Sequence, residues 1–138
     1  MLNNHPELTW NGKGYKSFPI GQGIMGSHPG LEVDNCELFG WSHAAIGSGP
    51  EAKGTHIHHN YIHHCHRAGL GYGVCLDGSD ALIEANRFDN TRHAIAGTGV
   101  PGTAYEARNN WHGPNIKGHN FDMHGSHEWA LQRQQAVT

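Results

Sequence analysis

Histidine is the residue type in this sequence whose number and spacing point most directly to chemistry. Six of the 14 histidines fall in the segment GTHIHHNYIHHCHRAGLGYG at residues 54–73. Neutral imidazole binds transition metals, and an imidazole with a pKa near its usual value of about 6.5 transfers protons at neutral pH. The segment therefore predicts a metal site, an acid–base site, or a repetitive scaffold with outward-pointing histidines. The direction of each side chain decides between them.

A second candidate is the segment HNFDMHG, which contains His119, Asp122 and His124. Two imidazoles and a carboxylate could supply three metal ligands. Alternatively, Asp122 could orient a histidine that acts as an acid or a base. Hydrogen bonds that stabilise a turn are the simpler explanation for the same residues.

The composition excludes several classes of protein. The chain has 138 residues, a net charge of −3, 20 glycines and only 15% charged residues, which predicts one compact domain and argues against a helical bundle. No apolar run approaches the roughly 20 residues of a membrane-spanning helix, and the charge argues against a nucleic-acid partner. Three cysteines without metal-ligand spacing predict buried thiols instead of disulfides. The first residues lack the pattern of a signal peptide, so we expect none in this chain.

An internal repeat organises residues 31–125. Four stretches align when they are started at Val33, Ile57, Ile83 and Ala107, with spacings of 24, 26 and 24 residues. Three positions after these starts stand Cys36, Asn60, Asn86 and Asn110, and five positions after them stand Leu38, Ile62, Phe88 and His112. Short apolar segments without helical periodicity predict a parallel β-helix whose coils stack about 4.8 Å apart. The asparagines would then form a ladder in a turn, and we expect them to adopt its left-handed backbone conformation.

These motifs resemble the right-handed parallel β-helix repeat proteins of the pectate-lyase-like superfamily. The resemblance is carried by DNCEL, HHNYI, EANRF and RNNW, together with GYGV, RHAIAGTG and HNFDMHG. It implies an all-β fold, a right-handed parallel β-helix that forms a short solenoid of about four to five coils. The tail that follows predicts a short C-terminal helix with Ser126 as its N-cap. We expect an N-terminal cap or irregular first coil at residues 1–30, coils at 31–125, and a tail or capping helix at 126–138. Solenoid ends need capping or pairing, so a homo-oligomer through the ends is expected.

The repeat also predicts which side chains share the outer faces of the coils. Strand alternation places one outward column at Asp34, His58, Glu84 and Arg108, and another at Glu32, His56, Leu82 and Glu106. His56, His58 and Glu84 are the candidate metal ligands in these columns. A ladder of alternating charges on a solvated sheet is the alternative. The cofactor stays open, with zinc, copper and calcium as the candidate divalent metals.

A further column, ten residues after each start, is basic. It consists of His43, Arg67, His93 and Lys117. Stacked cations repel each other unless an anion lies across them, so this column predicts a groove for an acidic polysaccharide. The same groove would include His66, Tyr72 and His119 as substrate-binding residues. Bonds from these side chains to turn carbonyls are the alternative.

The resemblance implies a polysaccharide lyase that cleaves a uronate polymer by β-elimination, in an extracellular or periplasmic location. It also brings RHAIAGTG one coil away from HNFDMHG, so the catalytic candidates are Arg92, His93, Asp122 and His124. Arg92, Arg67 or a bound cation would neutralise the uronate carboxylate, and His93 or His124 would remove the α-proton. Tyr72 or a second histidine would protonate the leaving oxygen.

Other functions remain open at this stage. A hydrolase needs paired carboxylates and, like an epimerase, ranks below a lyase. A non-catalytic carbohydrate-binding or structural β-helix segment is the main alternative, and a histidine-based metal-binding protein is another. Whether the chain is an enzyme therefore stays undecided by the sequence.

Overall fold

The computed structural model describes residues 19–125, whose strands form a parallel β-solenoid of about four turns. The strands in this range are β1 (Gln22–Gly26), β2 (Glu32–Asp34), β3 (Glu37–Phe39), β4 (Ala44–Ser48), β5 (Thr55–His58), β6 (Tyr61–Cys65), β7 (Tyr72–Leu76), β8 (Asp80–Glu84), β9 (Arg87–Thr91), β10 (His93–Gly97), β11 (Ala104–Arg108), β12 (Trp111–His112) and β13 (Phe121–Met123). The expected all-β fold with stacked parallel coils is confirmed. Residues 19–125 contain no helix, and so none long and apolar enough to span a membrane.

Three parallel sheets run along the solenoid. Sheet A has the order β1-β4-β7-β10-β13, sheet B the order β11-β8-β5-β2, and sheet C the order β12-β9-β6-β3. Every pairing within them is parallel, with one strand of each sheet contributed by each successive coil. A residue at one phase of the repeat therefore stacks on the residue of the same phase in the next coil.

The interior is built from the columns that the repeat predicts. The register aligns Val33, Ile57, Ile83 and Ala107 in sheet B, and Leu38, Ile62, Phe88 and His112 in sheet C. Ile57, Ile62, Ile83 and Phe88 have no exposed surface. Burying each of these side chains stabilises the fold by roughly 1.5–3 kcal/mol. The His112 ring closes one column by stacking on Phe88, with ring centroids 5.3 Å apart.

The asparagine ladder between sheets B and C is also present. The Oδ1 atoms of Asn60, Asn86 and Asn110 accept the backbone N–H of Cys36, Asn60 and Asn86, each at 3.0 Å. The expected left-handed conformation of the ladder asparagines is wrong, however. The preceding residue adopts it in every coil, at Asn35, His59, Ala85 and Asn109. The ladder asparagines themselves keep an ordinary backbone conformation. Their side-chain oxygens accept backbone N–H groups of the neighbouring coil in the turn between the strands.

Two of the expected segments extend beyond the described range. Within residues 1–30, β1 pairs in parallel with β4. The tail or capping helix expected at 126–138 lies outside the described residues. Cys36, Cys65 and Cys75 are free thiols, as expected, although only Cys65 is fully buried. Burial raises the pKa of the Cys65 thiol to about 12.

Candidate functional site

The outer face of sheet A brings aromatic and titratable side chains together. Its register places Ala44, Tyr72 and His93 in one column and Gly47, Cys75, Ala96 and Asp122 in another. The Tyr72 and His93 rings are nearly parallel with centroids 5.7 Å apart, and the His93 and His119 rings stack at 5.0 Å. The small residues of the second column leave room beside these rings, and Asp122 stands at its end.

Asp122 lies between two histidines. Its Oδ2 is 3.6 Å from Nε2 of His93 and accepts a hydrogen bond from Nε2 of His124. The His93 side chain is 4% exposed, that of Asp122 21% and that of His124 47%. The three groups therefore run from the buried sheet surface to the solvent, and His124 is the most exposed member.

The protonation of His93 follows from its contacts. Its Nδ1 accepts the backbone N–H of His119 at 2.8 Å, so the ring proton lies on Nε2, which faces Asp122. Burial and, next, the positive charge of Arg92 lower the His93 pKa to about 4. At neutral pH His93 is thus an uncharged imidazole that presents an N–H to the Asp122 carboxylate.

The His119 contact depends on Gly118. A Cβ at that position would lie 2.6 Å from Cε1 of His93 and 2.7 Å from the carbonyl oxygen of Arg92. Both distances are below van der Waals contact, so a side chain there would displace the imidazole or the chain. The glycine lets the last described coil approach His93 closely enough for the hydrogen bond.

His93, Asp122 and His124 satisfy the distance requirement of a metal site, since one ligand atom from each lies within 4.8 Å of the others. The proton positions argue against that role. Nε2 of His93 could bind a metal only with the ring proton on Nδ1, where the His119 N–H already points. Histidines that bind metals normally donate their second N–H to an acceptor. This group therefore suits proton transfer better than metal binding.

Three more of the expected site residues lie around this group. Arg92 donates from Nη1 to the carbonyl oxygen of Leu70 at 3.1 Å. Tyr72 donates its hydroxyl to the carbonyl oxygen of Gly69 at 3.1 Å, and burial raises its pKa. The ring of His43 packs against Tyr72 with centroids 6.0 Å apart. The face thus collects His43, Tyr72, Arg92, His93, His119, Asp122 and His124.

The expected basic column of His43, Arg67, His93 and Lys117 is wrong in its register. The neighbour of His93 in the adjacent coil is Tyr72, and the neighbour of Tyr72 is Ala44. The backbone N–H of Leu70 donates to the carbonyl oxygen of Arg67 and closes a turn. This turn adds residues before β7, so Arg67 stands too early in the chain to align with His93. Lys117 instead donates its backbone N–H to Thr91. The four residues are not stacked.

His66 also differs from its expected place in the groove. It is 3% exposed, and burial lowers its pKa to about 4. A buried neutral imidazole contributes no positive charge to a groove at neutral pH. We therefore remove His66 from the candidate substrate contacts.

Sheet B carries the two outward columns that the repeat predicts. The register pairs Glu32 with His56 and Asp34 with His58, and continues from His56 to Leu82 and from His58 to Glu84. His58 Nε2 contacts Glu32 at 2.8 Å and His56 Nε2 contacts Glu84 at 2.9 Å. Arg108 donates from Nε to Glu84 at 2.8 Å. This hydrogen bond, and to a smaller extent the one with His56, holds the pKa of Glu84 below its usual value. The candidate metal residues thus form a ladder of carboxylates and imidazoles that ends at the Arg108 guanidinium.

Sequence reasoning missed a ladder on the outer face of sheet C. The guanidinium carbon of Arg87 lies 4.6 Å from the centroid of the Tyr61 ring and 4.7 Å from that of Trp111. The register stacks Tyr61, Arg87 and Trp111 in consecutive coils. All three stand four positions after a repeat start, so the same column reading could have found them.

No protein-family model, curated protein or solved structure matches this chain. The parallel β-solenoid is therefore established by the chain's own strand pairing. Membership of the pectate-lyase-like superfamily stays a hypothesis.

Proposed function

We propose that this protein is a lyase that cleaves an acidic, uronate-containing polysaccharide by β-elimination on the outer face of sheet A. The hydrogen bond from His124 to Asp122 is the observation that carries the proposal. Because Nε2 of His124 donates to the carboxylate, the basic lone pair of this imidazole is on Nδ1. Asp122 fixes the ring and stabilises the imidazolium that forms when Nδ1 takes a proton.

The elimination needs only one such base. His124 removes the proton on the carbon next to the uronate carboxylate. The electron pair of that C–H bond forms a carbon–carbon double bond, and the adjacent C–O bond breaks with its electron pair on the leaving oxygen. The proton held by His124 then passes to that oxygen, so the cycle restores the neutral imidazole. Atoms and electrons balance without an oxidant or a further reactant.

The other groups of the site support this assignment of roles. His93 has its basic nitrogen occupied by the His119 N–H, so its part is to turn the positive end of its Nε2–H dipole toward Asp122, 3.6 Å away, while His124 acts as the base. Tyr72 is 6% exposed and its hydroxyl binds Gly69, so it forms the wall of the site. Arg92 supplies guanidinium donors for the uronate carboxylate, whose neutralisation makes the neighbouring proton more acidic.

The pectate-lyase-like resemblance of the repeat is a second, weaker support for this substrate class. A substrate of this kind implies an extracellular or periplasmic location.

The lyase is tested by incubating the protein with pectate, alginate and glycosaminoglycans and recording the ultraviolet absorbance of unsaturated products. We expect wild type to release such products from one of these polymers. His124→Ala and Asp122→Asn should each reduce the rate about 100-fold or more. His28→Ala, which removes an exposed histidine in the turn after β1, is the matched control and should keep the wild-type rate. No product from any polymer, or an active His124→Ala variant, would refute the lyase.

The ladder of sheet C favours a second candidate, a non-catalytic carbohydrate-binding module. Trp111 is 49% exposed and Arg87 lies between two aromatic rings, so the column offers flat apolar surfaces and a cation along the solenoid. Such surfaces suit the faces of sugar rings and the carboxylates of a uronate.

Binding of the same polymers to Trp111→Ala, measured by affinity electrophoresis, separates the two candidates. A binding module retains the polymer without releasing product, and loses retention in Trp111→Ala. If the protein is a lyase that acts at sheet A, Trp111→Ala still releases product, and this release still requires His124. Equal retention by Trp111→Ala and wild type would remove the sheet C ladder from consideration.

A further inference from the structure

Two imidazoles and one carboxylate converge on the outer face of sheet B, away from the strands that carry the proposed lyase site. His56 and His58 are two residues apart on β5, so their side chains emerge on the same face, with ring centroids 4.2 Å apart. Glu32 on β2 stands beside His56 in the register. One ligand atom from each of the three residues lies within 4.8 Å of the others.

The separations between these atoms fit a shared ion. Nε2 of His58 is 2.8 Å and Nδ1 of His56 is 3.9 Å from the same oxygen, Oε1 of Glu32. A metal ion bound at about 2.0–2.2 Å by nitrogen and oxygen holds its ligand atoms roughly 3.5 Å apart in a tetrahedral site. The two observed distances lie on either side of this value. Small side-chain rotations would place all three atoms around one ion.

Glu84 orients His56 for this purpose. Its Oε1 is 2.9 Å from Nε2 of His56, and its Oε2 accepts a hydrogen bond from Nε of Arg108 at 2.8 Å. A carboxylate held by Arg108 is an acceptor, so the proton of His56 lies on Nε2 and the lone pair on Nδ1 faces Glu32. Carboxylates commonly support metal-binding histidines in this way. Glu84 thus orients the metal ligand His56, whereas the sequence had suggested that Glu84 is itself a ligand.

His59 is placed to give His58 the same support. Nδ1 of His58 and Nδ1 of His59 are 2.8 Å apart, a distance at which one of the two donates to the other. When His58 is the donor, its Nε2 lone pair faces Oε1 of Glu32 across 2.8 Å, and a shared cation would lie between these two atoms.

The group on sheet A differs at the corresponding nitrogen of its histidine. His93 has a backbone donor at the nitrogen remote from its carboxylate, whereas His56 has a carboxylate acceptor at the corresponding place. We propose that Glu32, His56 and His58 bind one divalent transition-metal ion, with His56 supported by Glu84 and His58 by His59. Two imidazole nitrogens and one carboxylate oxygen match Zn²⁺ or Cu²⁺, whereas Ca²⁺ and Mg²⁺ prefer oxygen ligands throughout.

The site is tested with tag-free protein that has been stripped with a chelator and titrated with Zn²⁺ by calorimetry. Co²⁺ provides a second readout, since its visible absorption reports the coordination geometry. We expect one equivalent to bind to wild type. Glu32→Gln and His56→Ala should weaken binding at least about 100-fold, and Glu84→Gln about 10–100-fold. Glu32 is an exposed side chain, so its replacement by glutamine leaves the core intact if His56→Ala folds poorly.

Two control variants make the outcome specific. Asp122→Asn removes the carboxylate of the sheet A group, and His28→Ala removes an exposed histidine; both should bind Zn²⁺ as wild type does. Substoichiometric binding to wild type, an unchanged affinity in both Glu32→Gln and His56→Ala, or an equal loss in Asp122→Asn would each overturn the proposal. The lyase assay is read separately, so either result is independent of the sheet A proposal.

Discussion

Replacement of Asn86 by alanine should be among the most destabilising single changes in the turn between sheets B and C. The Asn86 side chain is buried and makes four hydrogen bonds. Its Oδ1 accepts from the backbone N–H and from Nδ2 of Asn60, both at 3.0 Å. Its Nδ2 donates to the carbonyl oxygen of Ile57 at 2.9 Å and to Oδ1 of Asn110 at 3.1 Å. Alanine removes all four and leaves a buried backbone N–H at Asn60 without its acceptor.

The cost follows from the number of bonds and their burial. At about 1 kcal/mol net for each bond, Asn86→Ala should lower the free energy of unfolding by about 4 kcal/mol. This is a large part of the roughly 5–15 kcal/mol that stabilises a typical domain. Asn110 has the same chemistry with three bonds, but it is partly exposed, so water can replace what is lost. We expect Asn110→Ala to cost about 1–2 kcal/mol.

Urea unfolding, followed by circular dichroism and by tryptophan fluorescence, measures both values. Coincident transitions by the two probes would justify a two-state treatment. The reasoning fails if Asn86→Ala costs less than about 1 kcal/mol, or if Asn110→Ala costs as much as Asn86→Ala. In the first case the ladder would contribute little beyond the strand pairing on each side of it. In the second case its contribution would not depend on burial.

Two further predictions concern the sheet A site and its surroundings. The pKa values of His66 and His93 are about 4 in the folded chain, whereas the unfolded chain binds these protons near 6.5, so stability should fall as the pH drops from 6.5 toward 4. At pH 5 the loss is about 2 kcal/mol for each histidine, and a urea midpoint that does not fall between pH 7 and pH 5 would contradict it. Gly118→Ala should cost about 1–3 kcal/mol in urea unfolding, because its Cβ would collide with His93. Gly49→Ala, whose Cβ would meet only ordinary contacts, is the control, and an equal effect of the two substitutions would count against the collision.

The sequence predicted most of sheets B and C. The spacing of Val33, Ile57 and Ile83 gave the interior column, and adding one residue on either side gave the outward columns of His56 and His58. The same counting applied four positions after each start would have found the Tyr61–Arg87–Trp111 ladder. Counting works here because the coils have nearly equal length between these strands, so that one register relates every pair of coils.

By itself, then, the sequence determined the parallel β-solenoid and which residues stack in sheets B and C, since both follow from the repeat. Only the tertiary structure decided the register of sheet A. The chain takes eleven residues from Val33 to Ala44, fifteen from Ile57 to Tyr72 and ten from Ile83 to His93, yet these end points are neighbours. Turns accommodate such differences in length at little cost in free energy. The number of residues from a repeat start therefore does not predict which sheet A residues are neighbours. The proton positions on His56 and His93 were likewise fixed by partners from other coils, and that on His124 by Asp122 two residues earlier. These positions separate a proposed base from a proposed metal ligand.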